Sequence, residues 1–191
     1  MANGKSSRWH AETGGPKHLV VINGESLLER IVRQLAELKQ ADIIITSGNP
    51  AYTVYGAKRH EPASNKLELD RFTTELIRDD CCFLYGDTFY TDAAMETIVE
   101  ASVNDVIFAG NAKSIVAVII KKKEPFLQAI SKVRNAIKNA ELTDGKGWHV
   151  YSAHVGQSLT SRDISKDFLM VDGICNINTV ADYYELLNSF D

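Results

Sequence analysis

The chain lacks several features that mark membrane-spanning, secreted or nucleic-acid-binding proteins. No stretch approaches the roughly 18 consecutive apolar residues of a membrane-spanning helix. The first ten residues, MANGKSSRWH, hold no apolar signal-peptide segment. Positive charge is not concentrated, because the net charge is −4 and the longest basic run is the three lysines at 121–123. These absences predict a cytoplasmic protein with no membrane partner and no nucleic-acid partner.

Thiol, zinc and covalent chemistry are also poorly supported. The 3 cysteines, Cys81, Cys82 and Cys175, show neither CxxC spacing nor a disulfide framework. The 5 histidines form no HxxxH or HExxH pattern, which argues against a zinc site. No Gly-x-Ser-x-Gly elbow marks a serine nucleophile. The chemistry must therefore come from other residue types.

What is present is the composition of an ordinary globular protein. The 191 residues are 45% hydrophobic and 24% charged, which predicts a single domain over 1–191. Hydrophobic periodicity predicts helices at 26–38 (with Ser26 as N-cap), 66–77, 91–102, 124–140 and 179–190. Apolar runs predict strands at 41–50, 55–62, 81–87, 105–111, 114–122 and 147–156. The alternation of strand and helix predicts a three-layer α/β/α, Rossmann-like fold with a mixed, mainly parallel sheet.

The opening segment NGKSSRWHAETGGPKHL, residues 3–19, combines small residues with fixed positive charge. Glycine and serine let backbone N–H groups approach an anion closely. Arg8 offers a bidentate fork for phosphate oxygens, and Lys17 offers a compact point charge. This composition indicates a polyphosphate-binding loop. A solvated loop without a ligand is an equal alternative on composition alone.

A second candidate group follows the apolar run CCFL. Gly86 and Asp87 form the end of the strand predicted at 81–87. Open α/β sheets bind ligands at the carboxyl ends of their strands, which is where Asp87 would lie. Magnesium uses one or two protein carboxylates together with phosphate oxygens. The alternative is that Asp87 only caps a turn before the next helix.

Three segments together resemble the nucleotidyltransferase family with a GT-A-like Rossmann fold. That family includes sugar-phosphate nucleotidyltransferases, phosphocholine cytidylyltransferases and molybdenum cofactor guanylyltransferases. Two of the matching segments are the Gly86–Asp87 pair and CNINTVADYYEL at 175–186. The third is the opening of the chain, where the matching residues are Gly4, Arg8, Pro16, Lys17, Leu19, Gly24, Ser26, Leu27 and Leu28. Ser6 stands where the family has its second glycine.

The resemblance implies a role for each matching residue. Arg8 and Lys17 would be catalytic, and Gly4, Lys5, Ser6 and Ser7 would bind the nucleotide phosphates. These groups and Asp87 are expected to face each other across one crevice.

The resemblance also implies a Mg²⁺ site on Asp87 and Asn178. Asp172 is a lower-ranked rival for the second ligand, and Asn178 and Thr179 could instead be only turn and cap residues. In the family an apolar first strand precedes the loop, whereas only Met1 and Ala2 precede Asn3 here. We expect a misassigned start, a truncation, or another segment or chain that takes the place of the missing strand.

The expected activity is transfer of a nucleoside monophosphate from an NTP to a phosphorylated small molecule, with release of pyrophosphate. A sugar phosphate or phosphocholine is the expected acceptor, as in nucleotide-sugar biosynthesis. The base, the acceptor and any homo-oligomer stay open. Two alternatives remain: a non-catalytic nucleotide-binding or regulatory domain that keeps the fold, and a GT-A glycosyltransferase, for which the sequence lacks a D-x-D pair at Asp87.

Overall fold

The computed structural model describes residues 1–4, 9, 13, 15–38 and 41–190. Its helices are α1 (Leu27–Leu38), α2 (Asp92–Val99), α3 (Lys123–Lys138), α4 (Gly147–Val155) and α5 (Val180–Asn188). Its strands are β1 (Val21–Ile22), β2 (Glu25–Ser26), β3 (Ile44–Thr46), β4 (Lys58–His60), β5 (Cys81–Leu84), β6 (Thr88–Tyr90), β7 (Val106–Gly110), β8 (Ile115–Ile120), β9 (Phe168–Met170) and β10 (Ile174–Asn176). Among these helices none has the length and apolar character needed to cross a membrane.

The chain folds into two compact units. The first comprises Met1–Glu61, Tyr85–Glu100 and Asp172–Asp191, and the second comprises Pro62–Leu84 and Ala101–Val171. The chain thus passes from one unit to the other several times. A single domain over the whole length stays a prediction.

The first unit opens with a hairpin that leads into a capped helix. β1 and β2 pair antiparallel, and the Asn23 and Gly24 between them both have positive φ (52° and 83°). A two-residue turn of that kind matches the twist of a hairpin, and Asn-Gly is its preferred sequence. The Ser26 hydroxyl accepts from the N–H of Glu29, whose carboxylate accepts from the N–H of Ser26. This capping box confirms the predicted N-cap of α1.

Two short strand pairs hold the rest of the first unit. β3 pairs parallel with β4, and β6 pairs antiparallel with β10. The N–H of Ala2 donates to the carbonyl of Thr46 at 3.0 Å, and the N–H of Gly86 donates to the carbonyl of Met1 at 2.8 Å. Residues 1 and 2 therefore connect the end of β3 to the segment that carries Asp87.

Two apolar clusters form the core of this unit, and α1 contributes to both. One contains Ala2, Leu28, Val32, Ile45, Tyr52 and Val54. The other contains Trp9, Ile22, Leu27, Phe89, Ile177 and Leu186. Because Leu27 and Leu28 point into different clusters, α1 fixes the hairpin, β3 and α5 relative to one another.

The second unit is built on a mixed four-stranded sheet in the order β5-β8-β7-β9. β8 pairs antiparallel with β5 and with β7, and β9 pairs parallel with β7. Phe72, Phe83 and Phe126 pack edge-on or tilted in its core. Phe108 of β7 meets Tyr151 of α4 in the same way.

The α/β class with a mixed sheet is confirmed, but three details of the prediction are wrong: the main direction of strand pairing, the strand at 147–156 and the helix at 66–77. Four of the six strand pairs in the described part of the chain are antiparallel, so the pairing is not mainly parallel. Residues 147–156, expected as a strand, contain the helix α4. Its buried residues lie on most of its circumference, so no helical stripe shows in the sequence.

The expected helix at 66–77 is instead two 3₁₀ turns, Glu68–Phe72 and Thr74–Leu76. The Asp70 carboxylate accepts from the N–H groups of Lys66 and Leu67, which ties the backbone into a turn. Thr73 between the two turns has φ 33°, outside the right-handed helical region. Side-chain hydrogen bonds of this kind compete with a regular helix.

Candidate active site

Lys17 and Asp87 meet in the first unit, 70 positions apart in sequence. The Lys17 ammonium donates to Oδ2 of Asp87 at 2.6 Å. The side chain of Lys17 is only 7% exposed and that of Asp87 is 24% exposed. A lysine is rarely this buried without an anionic partner, because burial disfavours the charged form. The two residues that the sequence places in one crevice are thus in direct contact.

A short turn positions Lys17. Residues Lys17–Leu19 form a single 3₁₀ turn, and Pro16 before it is extended. Proline fixes its own φ and restricts the residue before it, so the chain enters this turn in one direction. The N–H of Val20 donates to the carbonyl of Lys17, which closes the turn.

Gly86 positions Asp87 by letting the chain pass in close contact with its neighbours. A Cβ at Gly86 would lie 2.8 Å from the carbonyl oxygen of Met1 and 3.2 Å from both His18 Cδ2 and Leu28 Cδ2. Only glycine fits that space without displacing backbone. Glycine at position 86 is therefore a packing requirement of the segment that carries Asp87.

The register of β6 and β10 brings Asn178 near Asp87. Asn176 pairs with Thr88, and beyond the strand the N–H of Ile177 donates to the carbonyl of Asp87 at 2.9 Å. Asn178 is the next residue along the chain. Asp172 precedes the other end of β10, where Ile174 pairs with Tyr90. The register therefore favours Asn178 over Asp172 as the neighbour of Asp87.

The residues after Asn178 form the cap of α5. The Thr179 hydroxyl accepts from the N–H of Asp182, whose carboxylate accepts from the N–H groups of Asn178 and Thr179. This capping box confirms Thr179 as the helix cap and Asp182 at the helix N-terminus. Cap formation occupies the backbone N–H of Asn178 and leaves its side-chain role a prediction.

Of the four residues predicted to bind the nucleotide phosphates (Gly4, Lys5, Ser6 and Ser7), Gly4 alone belongs to the described residues. Gly4 is exposed. It lies three positions after Met1, whose carbonyl accepts a hydrogen bond from the N–H of Gly86. The chain therefore enters the loop beside the Asp87 segment. Lys5, Ser6, Ser7 and Arg8 lie outside the described residues, and their roles stay predictions.

A buried polar pair next to Lys17 was not predicted. Nδ1 of His18 lies 3.0 Å from the hydroxyl of Tyr52, and the two rings meet edge-on with centroids 5.0 Å apart. Burial raises the pKa of Tyr52, and the negative charge of Asp87 acts in the same direction. No spacing rule marks either residue. The one available signal is that His18 directly follows Lys17.

The oxygen donors at this place suit a hard divalent cation. Within the described residues no group of three or more His, Cys, Asp or Glu forms a complete metal cage. Asp87 offers a carboxylate, and Asn178, whose side-chain role stays a prediction, would add an amide oxygen; Mg²⁺ prefers both types of ligand. Such a small donor set fits an ion that completes its coordination with phosphate oxygens and water.

The family model for the MobA-like NTP transferase domain matches residues 1–156, most of the chain. No curated protein sequence matches. Among solved structures, a CTP:phosphocholine cytidylyltransferase from Streptococcus pneumoniae shares 14% identity with a TM-score of 0.60, covering 100% of this chain and 96% of that chain.

Two further solved structures share the fold. A nucleotidyl transferase from Methanothermobacter has 19% identity and a TM-score of 0.62, covering 99% of this chain and 94% of its own. An inositol-1-phosphate CTP transferase from T. maritima has 14% identity and a TM-score of 0.58, covering 98% and 92%. The predicted family and Rossmann-like α/β fold are confirmed. The chain is a nucleotidyltransferase, and it belongs to the family of MobA-like NTP transferase domains.

Proposed function

We propose that this nucleotidyltransferase moves a nucleoside monophosphate from an NTP to a phosphorylated small molecule and releases pyrophosphate. The observation that carries the proposal is the 2.6 Å contact between Lys17 and Asp87 in a partly buried place. The contact joins a cation suited to phosphate with a carboxylate suited to a divalent ion. Both are what a phosphoryl-type transfer requires.

Two structural neighbours support the proposed acceptor class. One neighbour acts on phosphocholine and another on inositol 1-phosphate, each with CTP. Both acceptors carry a phosphate monoester on a small polar molecule. By analogy, phosphocholine, inositol phosphate or a sugar 1-phosphate is the acceptor class for this chain.

In the proposed reaction an oxygen of the acceptor phosphate attacks the α-phosphorus of the NTP. The bond from that phosphorus to the bridging oxygen breaks, and pyrophosphate leaves with the bonding electrons. Lys17 stabilises the negative charge that builds up around the α-phosphate. Arg8 and the backbone N–H groups of residues 4–7 would hold the β- and γ-phosphates.

Binding both substrates in line supplies much of the acceleration, because no covalent enzyme intermediate is needed. Asp87 and Asn178 would hold Mg²⁺, which supplies charge neutralisation for the phosphate oxygens when bound. Before metal and nucleotide bind, Asp87 holds the Lys17 ammonium through their hydrogen bond.

The test is pyrophosphate release with each of the four NTPs against phosphocholine, inositol 1-phosphate and a set of sugar 1-phosphates. We expect turnover with at least one pair. Lys17→Met should lower kcat roughly 100- to 1,000-fold, as removal of a charge-stabilising donor does. The matched control is Lys113→Met, which removes an exposed lysine in the turn between β7 and β8.

If the protein binds nucleotide but turns over no pair of NTP and acceptor, the proposal is contradicted and a non-catalytic nucleotide-binding domain is favoured. Full turnover in Lys17→Met would remove the role given to Lys17 and leave the activity itself standing.

A further inference from the structure

The buried pair of His18 and Tyr52 is a polar contact where packing alone would accept apolar residues. His18 is 2% exposed and Tyr52 is 6% exposed, and Tyr52 belongs to the apolar cluster with Leu28 and Val32. Replacing both partners of such a pair by apolar groups of similar shape is often neutral for stability. Packing alone therefore does not account for a polar pair at this place.

On one side, His18 directly follows Lys17 in the chain and packs against Gly86. It is the second residue of the 3₁₀ turn whose first residue is Lys17. Its Cδ2 lies 3.2 Å from the place a Cβ would take at Gly86, the residue before Asp87. The imidazole ring therefore lies against the backbone that carries each member of the Lys17–Asp87 pair.

On the other side, Tyr52 is held by a tight turn after β3. Its N–H donates to the carbonyl of Asn49 at 3.1 Å. Asn49 in turn donates from its N–H to the Ser47 hydroxyl and accepts from the N–H of Ala51. These local bonds fix the backbone at Tyr52, so its hydroxyl is a rigid anchor for the imidazole of His18.

We propose that His18 and Tyr52 are positioning residues that set the Lys17 ammonium against Asp87. This inference rests on the proposed function, in which Lys17 stabilises charge in the transition state. The Tyr52 hydroxyl fixes the imidazole plane, and the imidazole fixes the turn that carries Lys17. Neither residue touches substrate in this proposal; both act through Lys17.

The first test compares turnover of Tyr52→Phe, His18→Leu and His18→Asn. Tyr52→Phe keeps the buried ring and removes only the hydroxyl. We expect a loss in kcat of roughly 10-fold with the KM for NTP within 2-fold, because alignment matters in the transition state more than in binding. His18→Leu should lose as much, whereas His18→Asn, whose amide can take the place of Nδ1, should stay within about 3-fold of wild type.

The second test asks whether the pair acts through Lys17. In a Lys17→Met background, Tyr52→Phe should change residual kcat by less than about 2-fold, because residues acting as a unit are not additive. A merely structural role would lower kcat in both backgrounds. An equal loss in both backgrounds, or a Tyr52→Phe variant with wild-type kcat, overturns the proposal.

A third measurement does not depend on turnover. The ¹⁵N–¹H signal of the Lys17 ammonium, assigned by its loss in Lys17→Met, reports whether the lysine is held by Asp87. We expect the signal in wild type and His18→Asn, and its broadening in Tyr52→Phe with the thermal unfolding midpoint near wild type. An unchanged signal in Tyr52→Phe overturns the positioning role, whereas absent turnover in wild type overturns only the proposed function.

Discussion

At the scale of single residues, the contact of Lys17 with Asp87 has a consequence for metal binding. The ammonium lies 2.6 Å from Oδ2, close to where a divalent cation would bind that carboxylate. A cation already there repels a second one. Nucleotide phosphates offer Lys17 another anionic partner, so we expect metal and nucleotide to bind together more readily than metal alone.

Lys17→Met should therefore strengthen Mn²⁺ binding in the absence of nucleotide by at least about 10-fold, since a nearby positive charge is removed. Electron paramagnetic resonance of free Mn²⁺ measures this directly. Asp87→Asn should weaken the binding, and the exposed Lys113→Met serves as the control. Equal Mn²⁺ affinity in wild type and Lys17→Met would show that the lysine does not compete for Asp87.

Gly86 gives a second prediction at this scale. Gly86→Ala would force a methyl group to within 2.8 Å of the carbonyl oxygen of Met1. Because that oxygen belongs to the backbone, the segment carrying Asp87 must shift. We expect lower stability by about 1–3 kcal/mol, as for other overpacking changes, and reduced turnover. Chemical denaturation measures the first effect, and Gly48→Ala, whose Cβ would meet nothing nearer than the Glu61 side chain at 4.0 Å, is the matched control.

The residue scale also shows what a sequence can reveal about a site. Lys17 and Asp87 could be predicted because a cation in a Gly-Pro turn and a carboxylate after an apolar strand have known chemistry. His18 and Tyr52 could not, since a buried His–Tyr contact depends on which loops meet in three dimensions. Neither residue has a motif or a spacing that signals the contact.

At the scale of secondary-structure elements, local rules predict the helix caps. Ser26→Ala removes the acceptor for the Glu29 N–H at the start of α1. It should cost about 1 kcal/mol of unfolding free energy. Urea denaturation measures the change, and Ser102→Ala, at an exposed serine outside helices and strands, is the control. A cost equal to that of the control would mean that the capping box contributes nothing measurable.

Helix α4 predicts a pH dependence of stability. Burial lowers the pKa of both His149 and His154, although the negative charge of Asp167 opposes this at His154. A histidine with a lowered folded pKa binds more protons when unfolded, so unfolding free energy falls as pH drops below the unfolded pKa of about 6.5.

Denaturation between pH 8 and pH 5 should show this fall, and His154→Gln should make it shallower. A variant with the same pH slope as wild type would assign the dependence to other groups.

Elements were predicted where periodicity is strong and missed where it is not. α1 and α3 each show one apolar face, and both were expected from sequence. α4 is buried on most sides and packs against α3. Its tryptophan, valine and tyrosine are residue types common in strands, so the sequence alone predicts a strand there. The short strands β6, β9 and β10 have 3 residues each, too few for a period to appear.

At the scale of the whole molecule, the α/β class followed from the alternation of predicted strands and helices, and the family followed from three short segments of sequence. The direction of strand pairing did not, because each apolar run can pair either way until its partners are fixed. We infer that Lys17 and Asp87, 70 positions apart, act as one catalytic unit.

A double-mutant cycle on pyrophosphate release tests whether Lys17 and Asp87 act together. The four proteins are wild type, Lys17→Met, Asp87→Asn and the double variant, assayed with the best NTP and acceptor pair. We expect strongly non-additive losses: kcat of the double variant should be at most about 3-fold lower than kcat of the worse single variant. If the losses in log kcat of the two single variants simply add in the double variant, the two residues act independently and the inference is wrong.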